Sequence, residues 1–365
     1  MKILLCISDF NRGGAERTAA LLANAWTRAG NGVTLMPTFS GPVSQAYPLD
    51  PQVRFAPLIA RTGPAPGLPR KLLTLRRELV GGRYDVVCSF LTNVNVSAIM
   101  AAAGTGIPVV VSERVFPPSY PLGPAMELAR RVTYRLADRI VMQTDEGLTW
   151  LADIGLGSKG RVIPNPIQYP LPGGEPLLPP RSTLKPGRRL LLAVGRLEPQ
   201  KRFDWLIGAF AEIQADHPAW DLVILGEGSQ RDDLAATIER AGLSGRAFLP
   251  GVAGNLGEWY EAAEAFALLS AFEGFPNVLA EALAHGVPAL AIDCPSGPRD
   301  LLRDPRIGTL LPRDTARGAI ARHLDRLLSS AWPDKAAAAA ALRNEFAIEA
   351  IARRWLAQFE EAIGS

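Results

Sequence analysis

Short apolar runs of strand length recur along this chain, and each is followed by a longer stretch with the spacing of an amphipathic helix. The runs are continuous rather than alternating, as at residues 3–8, 107–112 and 190–197. Continuous apolar strands that alternate with helices are typical of parallel sheets covered on both faces. The pattern therefore predicts an α/β fold of the doubly wound kind.

A proline-rich segment from Tyr169 to Arg188, with adjacent glycines at 173 and 174, interrupts this pattern. Neither a helix nor a regular strand is compatible with that composition. A chain of 365 residues is also longer than one ordinary domain. We predict a first domain at 1–167, a linker at 168–188, a second domain at 189–345 and a terminal helix at 346–365.

Composition excludes several classes of function. A net charge of +3 is too small to indicate nucleic-acid binding. Cys6, Cys88 and Cys294 lie in apolar runs without metal-ligand spacing, so we interpret them as buried thiols in a reducing compartment. The first apolar run is too short for a signal peptide, and no run is long enough to cross a bilayer. We therefore expect a cytoplasmic protein.

Two glutamates eight positions apart, in EGFPNVLAE, are candidate ligand-binding groups at Glu273 and Glu281. A helix that begins near Asn277, with Pro276 at a tolerated first-turn position, would leave Glu273 on the preceding loop. The N-terminus of that helix favours an anion. This arrangement suits a sugar and a diphosphate lying side by side. The alternative is one loop glutamate and one surface glutamate.

Two further segments follow apolar strands and have the chemistry of diphosphate sites. Arg196 and Lys201, in GRLEPQKRF, would stabilise the charge of a departing diphosphate. Gly13 and Gly14 occupy a turn between the first strand and its helix, where the backbone can approach a phosphate closely. Solvated cations and an ordinary glycine turn are the alternatives for the two segments.

Several segments of the chain resemble segments of retaining glycosyltransferase family 4, and they occur in the same order. Members of that family have the GT-B fold. From the N-terminus onward these segments are GGAER at 13, SER at 112, ADRIV at 137, VIPNP at 162, GRLEPQKRF at 195, EGFPN at 273 and DCPSGPR at 293. The resemblance covers nearly the whole chain. It implies two Rossmann-like parallel-sheet domains that face each other across a cleft, and a C-terminal helix that crosses back to the first domain.

The resemblance also implies roles for individual residues. Glu273, Arg196 and Lys201 would be catalytic, and Glu281 would hold the ribose of the donor. Asn93, Glu113 and Arg114 would contact the acceptor. The other donor-binding residues implied are Gly13, Gly14, Phe275, Asn277, Val278 and Leu279. Many family members also place a histidine in the first domain, and none is available here, so the acid–base group of that domain stays undetermined.

The implied activity is transfer of a sugar, with retention, from a nucleotide donor to a hydroxyl of a glycan or a polyprenyl-linked glycan. The EGFPN and CPSGPR segments suggest a UDP-hexose or UDP-N-acetylhexosamine, although Asp300 stands where glutamate is usual. The sequence contains no D-x-D, so we expect neither a metal nor another cofactor. The alternatives are a UDP-sugar 2-epimerase of the same fold and a non-catalytic partner subunit that binds a nucleotide sugar.

An amphipathic stretch at 68–79 carries four basic residues, Arg70, Lys71, Arg76 and Arg77. Such a face is suited to peripheral contact with the anionic inner surface of the cytoplasmic membrane, where a lipid-linked acceptor would be found. The alternative is a solvated basic face.

Overall fold

A computed structural model describes residues 1–11, 13–38, 45–63 and 67–364. Its contacts divide the chain into two units. Unit 1 comprises Met1–Pro166 and Phe346–Ser365, and unit 2 comprises Ile167–Glu345. The proline-rich segment belongs to unit 2, where Leu178 donates its N–H to Asn255 and accepts a hydrogen bond from Trp259.

Unit 1 is built on a parallel sheet. Its described strands are β1 Lys2–Ile7, β2 Gly32–Pro37, β3 Arg54–Phe55, β4 Val86–Phe90, β5 Val109–Ser112, β6 Arg139–Met142 and β7 Gly160–Val162. The order across the sheet is β3-β2-β1-β4-β5-β6-β7. The helices between these strands are α1 Gly14–Arg28, α2 Ile59–Thr62, α3 Leu68–Gly82, α4 Thr92–Ala102, α5 Pro124–Thr133 and α6 Asp145–Asp153.

Unit 2 repeats the plan with a second parallel sheet. Its strands are β8 Arg189–Val194, β9 Trp220–Leu225, β10 Ala247–Gly251, β11 Ala265–Leu268, β12 Ala289–Ile292 and β13 Gly308–Leu311, in the order β10-β9-β8-β11-β12-β13. Its helices are α7 Phe203–Ile213, α8 Arg231–Arg240, α9 Leu256–Ala262, α10 Asn277–Ala284, α11 Pro298–Leu301, α12 Ile320–Ser329 and α13 Lys335–Glu345.

The last helix, α14 (Ile348–Ile363), returns to unit 1 and packs on α1, β4 and β5. Trp355 is fully buried there, with its ring 6.1 Å from that of Trp26 and 5.7 Å from that of Phe90. An apolar face with large aromatic side chains explains this placement, since such a helix gains most by covering an open sheet face. The predicted α/β fold with two parallel-sheet domains and a returning terminal helix is confirmed.

Candidate functional site

The strand order of unit 2 contains a switch point between β8 and β11. From β8 the chain runs outward through β9 and β10, then returns to the other side of β8 as β11. In open parallel sheets, ligands bind at the carboxyl ends of the strands beside such a point. Arg196 and Lys201 follow β8, and Glu273 follows β11. The topology thus brings residues from two distant segments to the position where a ligand is expected.

Lys201 and Glu273 form an ion pair at this switch point. Their Nζ and Oε1 atoms are 2.7 Å apart, and the two side chains are only 12% and 10% exposed. The loops that carry them are joined directly, because Ala271 donates its N–H to the carbonyl of Gln200 over 2.8 Å and the Gln200 amide bonds the carbonyl of Phe272. A partly desolvated, charge-assisted pair is therefore held in place by the backbone on both sides.

Arg196 takes no part in that pair, and its side chain is exposed at the end of β8. Hydrogen bonds from the backbone N–H and the hydroxyl of Ser229, at 3.0 and 2.7 Å, lower the pKa of Glu198, two residues on. The charge of Arg196 acts in the same direction. The Glu198–Ser229 contact fastens the loop after β8 to the loop after β9.

Glycines make the close packing of those two loops possible. A Cβ on Gly226 would lie 1.9 Å from the carbonyl oxygen of Gly195, and one on Gly228 would lie 2.4 Å from that of Leu197. Gly226 also has a φ of +142°, a backbone conformation that residues with a side chain rarely adopt. The Gly226-Glu227-Gly228 segment thus supports the loop that carries Arg196.

The helix after Glu273 begins where the sequence predicts. Pro276 caps α10, and Glu273 lies on the preceding loop with its N–H bonded to the carbonyl of Pro295 at 2.9 Å. The N–H groups of Asn277 and Leu279 donate to the carbonyls of Phe275 and Pro276, at 2.9 and 3.0 Å. These N–H groups, predicted to bind a diphosphate, are therefore engaged within the turn. Phe275 is buried, and Val278 is half-buried in the first turn of α10.

Glu281 lies within α10 and is buried, only 2% exposed. Its Oε2 accepts a hydrogen bond of 3.0 Å from the hydroxyl of Tyr260, which is also buried. His285, which follows the helix, has its Nδ1 2.8 Å from the carbonyl of Glu281 and its ring 5.3 Å from that of Tyr260. The carboxylate is thus fixed from the side of α9.

The CPSGPR segment at residues 294–299 packs against the loop that carries Glu273. We call that loop the glutamate loop. Ser296 donates its hydroxyl to the carbonyl of Gly274 at 2.9 Å, and a Cβ on Gly297 would lie 2.3 Å from Cδ of Pro276. Arg299 forms an ion pair with Asp293. Burial raises the pKa of the Cys294 thiol to about 12, so this cysteine stays protonated and unreactive at neutral pH.

Unit 1 has its own switch point, between β1 and β4. Gly13 and Gly14 follow β1, and Asn93, which follows β4, is exposed in the first turn of α4. The hydroxyl of Tyr47 accepts from the N–H of Gly13 at 3.0 Å and donates to its carbonyl at 2.9 Å. Predicted site residues of both units therefore lie at switch points.

Glu113 and Arg114 follow β5 and are both buried. Glu113 accepts hydrogen bonds from Tyr134 at 2.6 Å and Thr92 at 2.9 Å. Burial raises the pKa of Glu113, while these two hydrogen bonds oppose the shift. Burial also lowers the pKa of Arg114 to about 10. The Arg114 guanidinium stacks 4.3 Å from the ring of Phe90 and donates to Asn165. Among the predicted acceptor residues, only Asn93 is exposed.

No group of three or more His, Cys, Asp or Glu residues in the described ranges could hold a metal ion. No helix among the described residues is both long enough and apolar enough to span a membrane.

Comparison with known families agrees with this geometry. Residues 12–169 match the family described as Glycosyltransferase Family 4, and residues 176–345 match the one described as Glycosyl transferases group 1. The chain belongs to these glycosyltransferases. Outside the two matches lie residues 1–11, which include β1, residues 170–175, and residues 346–365, which include α14.

Two curated relatives of this glycosyltransferase differ in how far they extend. An N-acetyl-D-galactosaminyltransferase of Campylobacter jejuni, whose name gives a GalNAc-GalNAc-diNAcBac-PP-undecaprenol substrate, is 26% identical over 90% of this chain and 89% of its own. An exopolysaccharide phosphotransferase of Streptomyces coelicolor is 27% identical over 80% of this chain. The chain spans only 32% of that second relative's length.

The solved structure of Anabaena HepE in complex with UDP-glucose has the same fold as this glycosyltransferase. The TM-score is 0.78 at 19% identity, and the match covers 99% of this chain and 100% of HepE. At that identity the likeness establishes the two-domain GT-B architecture.

Sequence reasoning missed some residues that shape the site. Tyr260 contacts Glu281 from 21 positions away, and no local pattern links the two. The sequence does contain a signal for Glu16. This residue lies three positions after Gly13, the N-cap of α1, where a capping-box glutamate is expected. Burial raises the pKa of Glu16, while a hydrogen bond from its own backbone N–H lowers it.

Proposed function

We propose that this glycosyltransferase moves a hexose or N-acetylhexosamine from a UDP donor to a hydroxyl of a glycan or polyprenyl-linked glycan, with retention of anomeric configuration. The observation that carries the proposal is the 2.7 Å Lys201–Glu273 pair at the unit 2 switch point. It places a cation and a carboxylate side by side where a ligand of a parallel sheet binds.

The proposed chemistry needs both members of that pair. When the donor's glycosidic bond breaks, negative charge builds on the UDP leaving group and positive charge builds on the sugar. Lys201, with three N–H donors, can bond a phosphate oxygen while keeping its contact with Glu273. Arg196 supplies the second cation for the diphosphate. Glu273 then lies where it can position the sugar or support its developing positive charge.

Glu281 is proposed to hold the ribose hydroxyls, and the hydrogen bond from Tyr260 supports this role by fixing the carboxylate. Among the residues that the structure describes, no side chain at the Lys201–Glu273 pair is assigned as a covalent nucleophile, so we propose that the acceptor hydroxyl attacks from the face that the diphosphate leaves. Trapping of a glycosyl-enzyme adduct would refute this step.

We propose that the reaction requires no divalent metal. The sequence has no D-x-D with which to bridge a metal to the diphosphate, and Arg196 and Lys201 are available to neutralise its charge. Transfer should continue unchanged in excess EDTA, and a loss restored by Mg²⁺ or Mn²⁺ would overturn this part of the proposal.

The acceptor is proposed to bind unit 1 through Asn93, with Glu113 and Arg114 shaping the pocket from beneath. An undecaprenyl-linked acceptor is proposed because the Campylobacter relative's name carries one. The protein would then work at the inner face of the cytoplasmic membrane. Of the four basic residues predicted to contact that surface, Arg70 and Arg77 are exposed and Lys71 is half-buried, whereas Arg76 donates to the carbonyls of Ala101 and Ala103.

The first test is a panel of nucleotide sugars assayed for protection against thermal unfolding. A donor at one hundred times its Kd should add about 2.7 kcal/mol of stability. Lys201→Met should abolish transfer and weaken UDP binding at least tenfold, because a charge-assisted contact is worth about 1.5–3 kcal/mol. Lys185→Met, which removes an exposed lysine of unit 2, is the matched control.

Two outcomes would favour other functions. Turnover of UDP-N-acetylglucosamine without any acceptor would indicate a UDP-sugar 2-epimerase. A non-catalytic partner subunit would be indicated if the protein binds the donor fully but transfers to no acceptor, and if Lys201→Met leaves UDP binding unchanged. Retention is checked by NMR of the anomeric linkage in the product, and an inverted linkage would remove that part of the proposal.

A further inference from the structure

Helix α5 packs Met126 and Ala129 against the core, but it also exposes large apolar side chains and encloses charged ones. Its inward face contains an ion pair between the buried Arg130 and the half-buried Glu127, and Arg130 lies 4.9 Å over the ring of Trp150. Thr133 is also buried on this side. The outward face exposes Leu128 and Val132, at 64% and 52%. A surface helix of a soluble domain normally turns its apolar stripe toward the core.

The exposed apolar residues continue beyond the helix. Leu136, in the 3-10 turn that follows α5, is 64% exposed, and Tyr120, just before the helix, is 57% exposed. We call Tyr120, Leu128, Val132 and Leu136 the α5 stripe. Leu128 and Val132 are four residues apart and so lie one above the other on the helix surface.

Neighbouring helices extend the same layer of unit 1. α4 packs between α3 and α5, and buried residues of α3 and α4 share one core with Tyr134. Leu73 and Val80 of α3 and Met100 of α4 are also exposed. Together with the α5 stripe, these account for most of the large hydrophobic side chains that are exposed among the described residues.

The exposed charges on α3, α4 and α5 have one sign. Arg131 and Arg135 are exposed next to Leu128, Val132 and Leu136. On α3, α4 and α5 as described, Glu78 is buried, and Glu127 is half-buried and paired. No exposed carboxylate therefore opposes these arginines on the three helices.

We propose that the α5 stripe inserts into the interfacial region of an anionic lipid bilayer, with Arg131 and Arg135 against the lipid headgroups. Apolar side chains flanked by arginines are the features by which a helix lies in a membrane surface. A second copy of the chain fits less well, because a two-fold interface would bring the exposed arginines of the two copies together. The proposal gives the lipid-linked acceptor of the proposed function a membrane-side anchor that the basic residues of α3 do not supply.

The test is flotation of the full-length protein with vesicles of equal parts phosphatidylcholine and phosphatidylglycerol, compared with pure phosphatidylcholine vesicles. We expect binding to the anionic vesicles only. Leu128→Ser combined with Val132→Ser should lower the partition coefficient on the order of tenfold or more, since each buried CH₂ contributes to insertion. Leu177→Ser combined with Val252→Ser, which changes exposed apolar residues of unit 2, is the matched control and should bind like the wild type.

A double variant of the two arginines distinguishes insertion of the apolar side chains from attraction between the arginines and the lipid headgroups. Arg131→Gln with Arg135→Gln should weaken binding most at low salt, whereas the serine variant should be impaired at every salt concentration. Both should keep the wild-type melting temperature, because the substituted side chains are exposed.

Equal binding of the stripe and control variants would overturn the proposal, as would absence of binding to any vesicle. A dimer in analytical ultracentrifugation that the stripe substitutions dissociate would instead assign the surface to a second copy of the chain. UDP-sugar protection and transfer to a water-soluble acceptor report on the proposed function separately. The stripe variants should leave both unchanged, so failure of either proposal can be recognised without the other.

Discussion

The hydroxyl of Tyr260 lies 3.0 Å from Oε2 of Glu281, and both side chains are buried. Tyr260 comes from α9, and Glu281 comes from the helix that follows the glutamate loop. The contact restricts the orientation of the carboxylate that is proposed to hold the donor ribose. A positioning role for Tyr260 follows, since a carboxylate that keeps its orientation binds a diol without first being ordered.

Tyr260→Phe should therefore weaken UDP binding about tenfold, the typical cost of one hydrogen bond to a charged group. Isothermal titration calorimetry with UDP measures this effect directly. Tyr169→Phe is the control, because the Tyr169 ring also lies against His285, 4.9 Å away. A lower melting temperature with unchanged UDP affinity would show that the Tyr260 hydroxyl has only a structural role.

The buried carboxylate of Glu113 should make the stability of unit 1 depend on pH. Burial raises its pKa in the folded protein above the ordinary value of 4.5, so the folded state binds this proton more tightly than the unfolded state. The ionised carboxylate therefore destabilises unit 1 at neutral pH, and this cost disappears as pH falls through the raised pKa toward 4.5.

Glu113→Gln removes that titration. The unfolding free energy of the wild type should accordingly rise relative to the variant as pH is lowered from 7 toward about 4.5. Denaturant titrations at several pH values give the comparison, and Glu360→Gln, at an exposed position of α14, is the control. A difference between wild type and Glu113→Gln that stays constant over this range would contradict the prediction.

Gly226→Ala should disturb the loop that carries Arg196. The added Cβ would meet the carbonyl of Gly195 at 1.9 Å, and the φ of +142° is unfavourable for alanine. We expect a loss of roughly 2–4 kcal/mol in the stability of unit 2, together with weaker donor binding. Gly318→Ala, where a Cβ would meet nothing within 4 Å, should change stability by less than about 1 kcal/mol.

Trp355→Ala should separate α14 from the core of unit 1. Trp355 is fully buried, with its ring 6.1 Å from Trp26 and 5.9 Å from Phe359. Truncation of such a side chain costs about 3–5 kcal/mol. Limited proteolysis should then cleave the Trp355→Ala variant near the start of α14. The Leu356→Ala variant, which changes a partly buried neighbour, should resist this cleavage. Equal cleavage of the two variants would show that the terminal helix does not depend on this aromatic contact.

Much of the fold follows from local patterns. Continuous apolar runs predict buried parallel strands such as β1 and β8, and the proline at 276 predicts where α10 begins. The candidate cations and the first glutamate are also evident locally, because each lies in the connection between a strand and the next helix. Local patterns determine these features because backbone geometry and the spacing of apolar side chains act over only a few residues.

The tertiary structure decided which of these groups meet. Lys201 and Glu273 are 72 positions apart, and the strand order alone brings β8 beside β11. The tertiary structure likewise decided that Tyr260 contacts Glu281. It also decided that the side chains of Leu128 and Val132 are exposed. The sequence by itself determined the elements and the chemistry available at their ends. Contacts and burial depend on which distant segments pack together, and no local pattern contains that information.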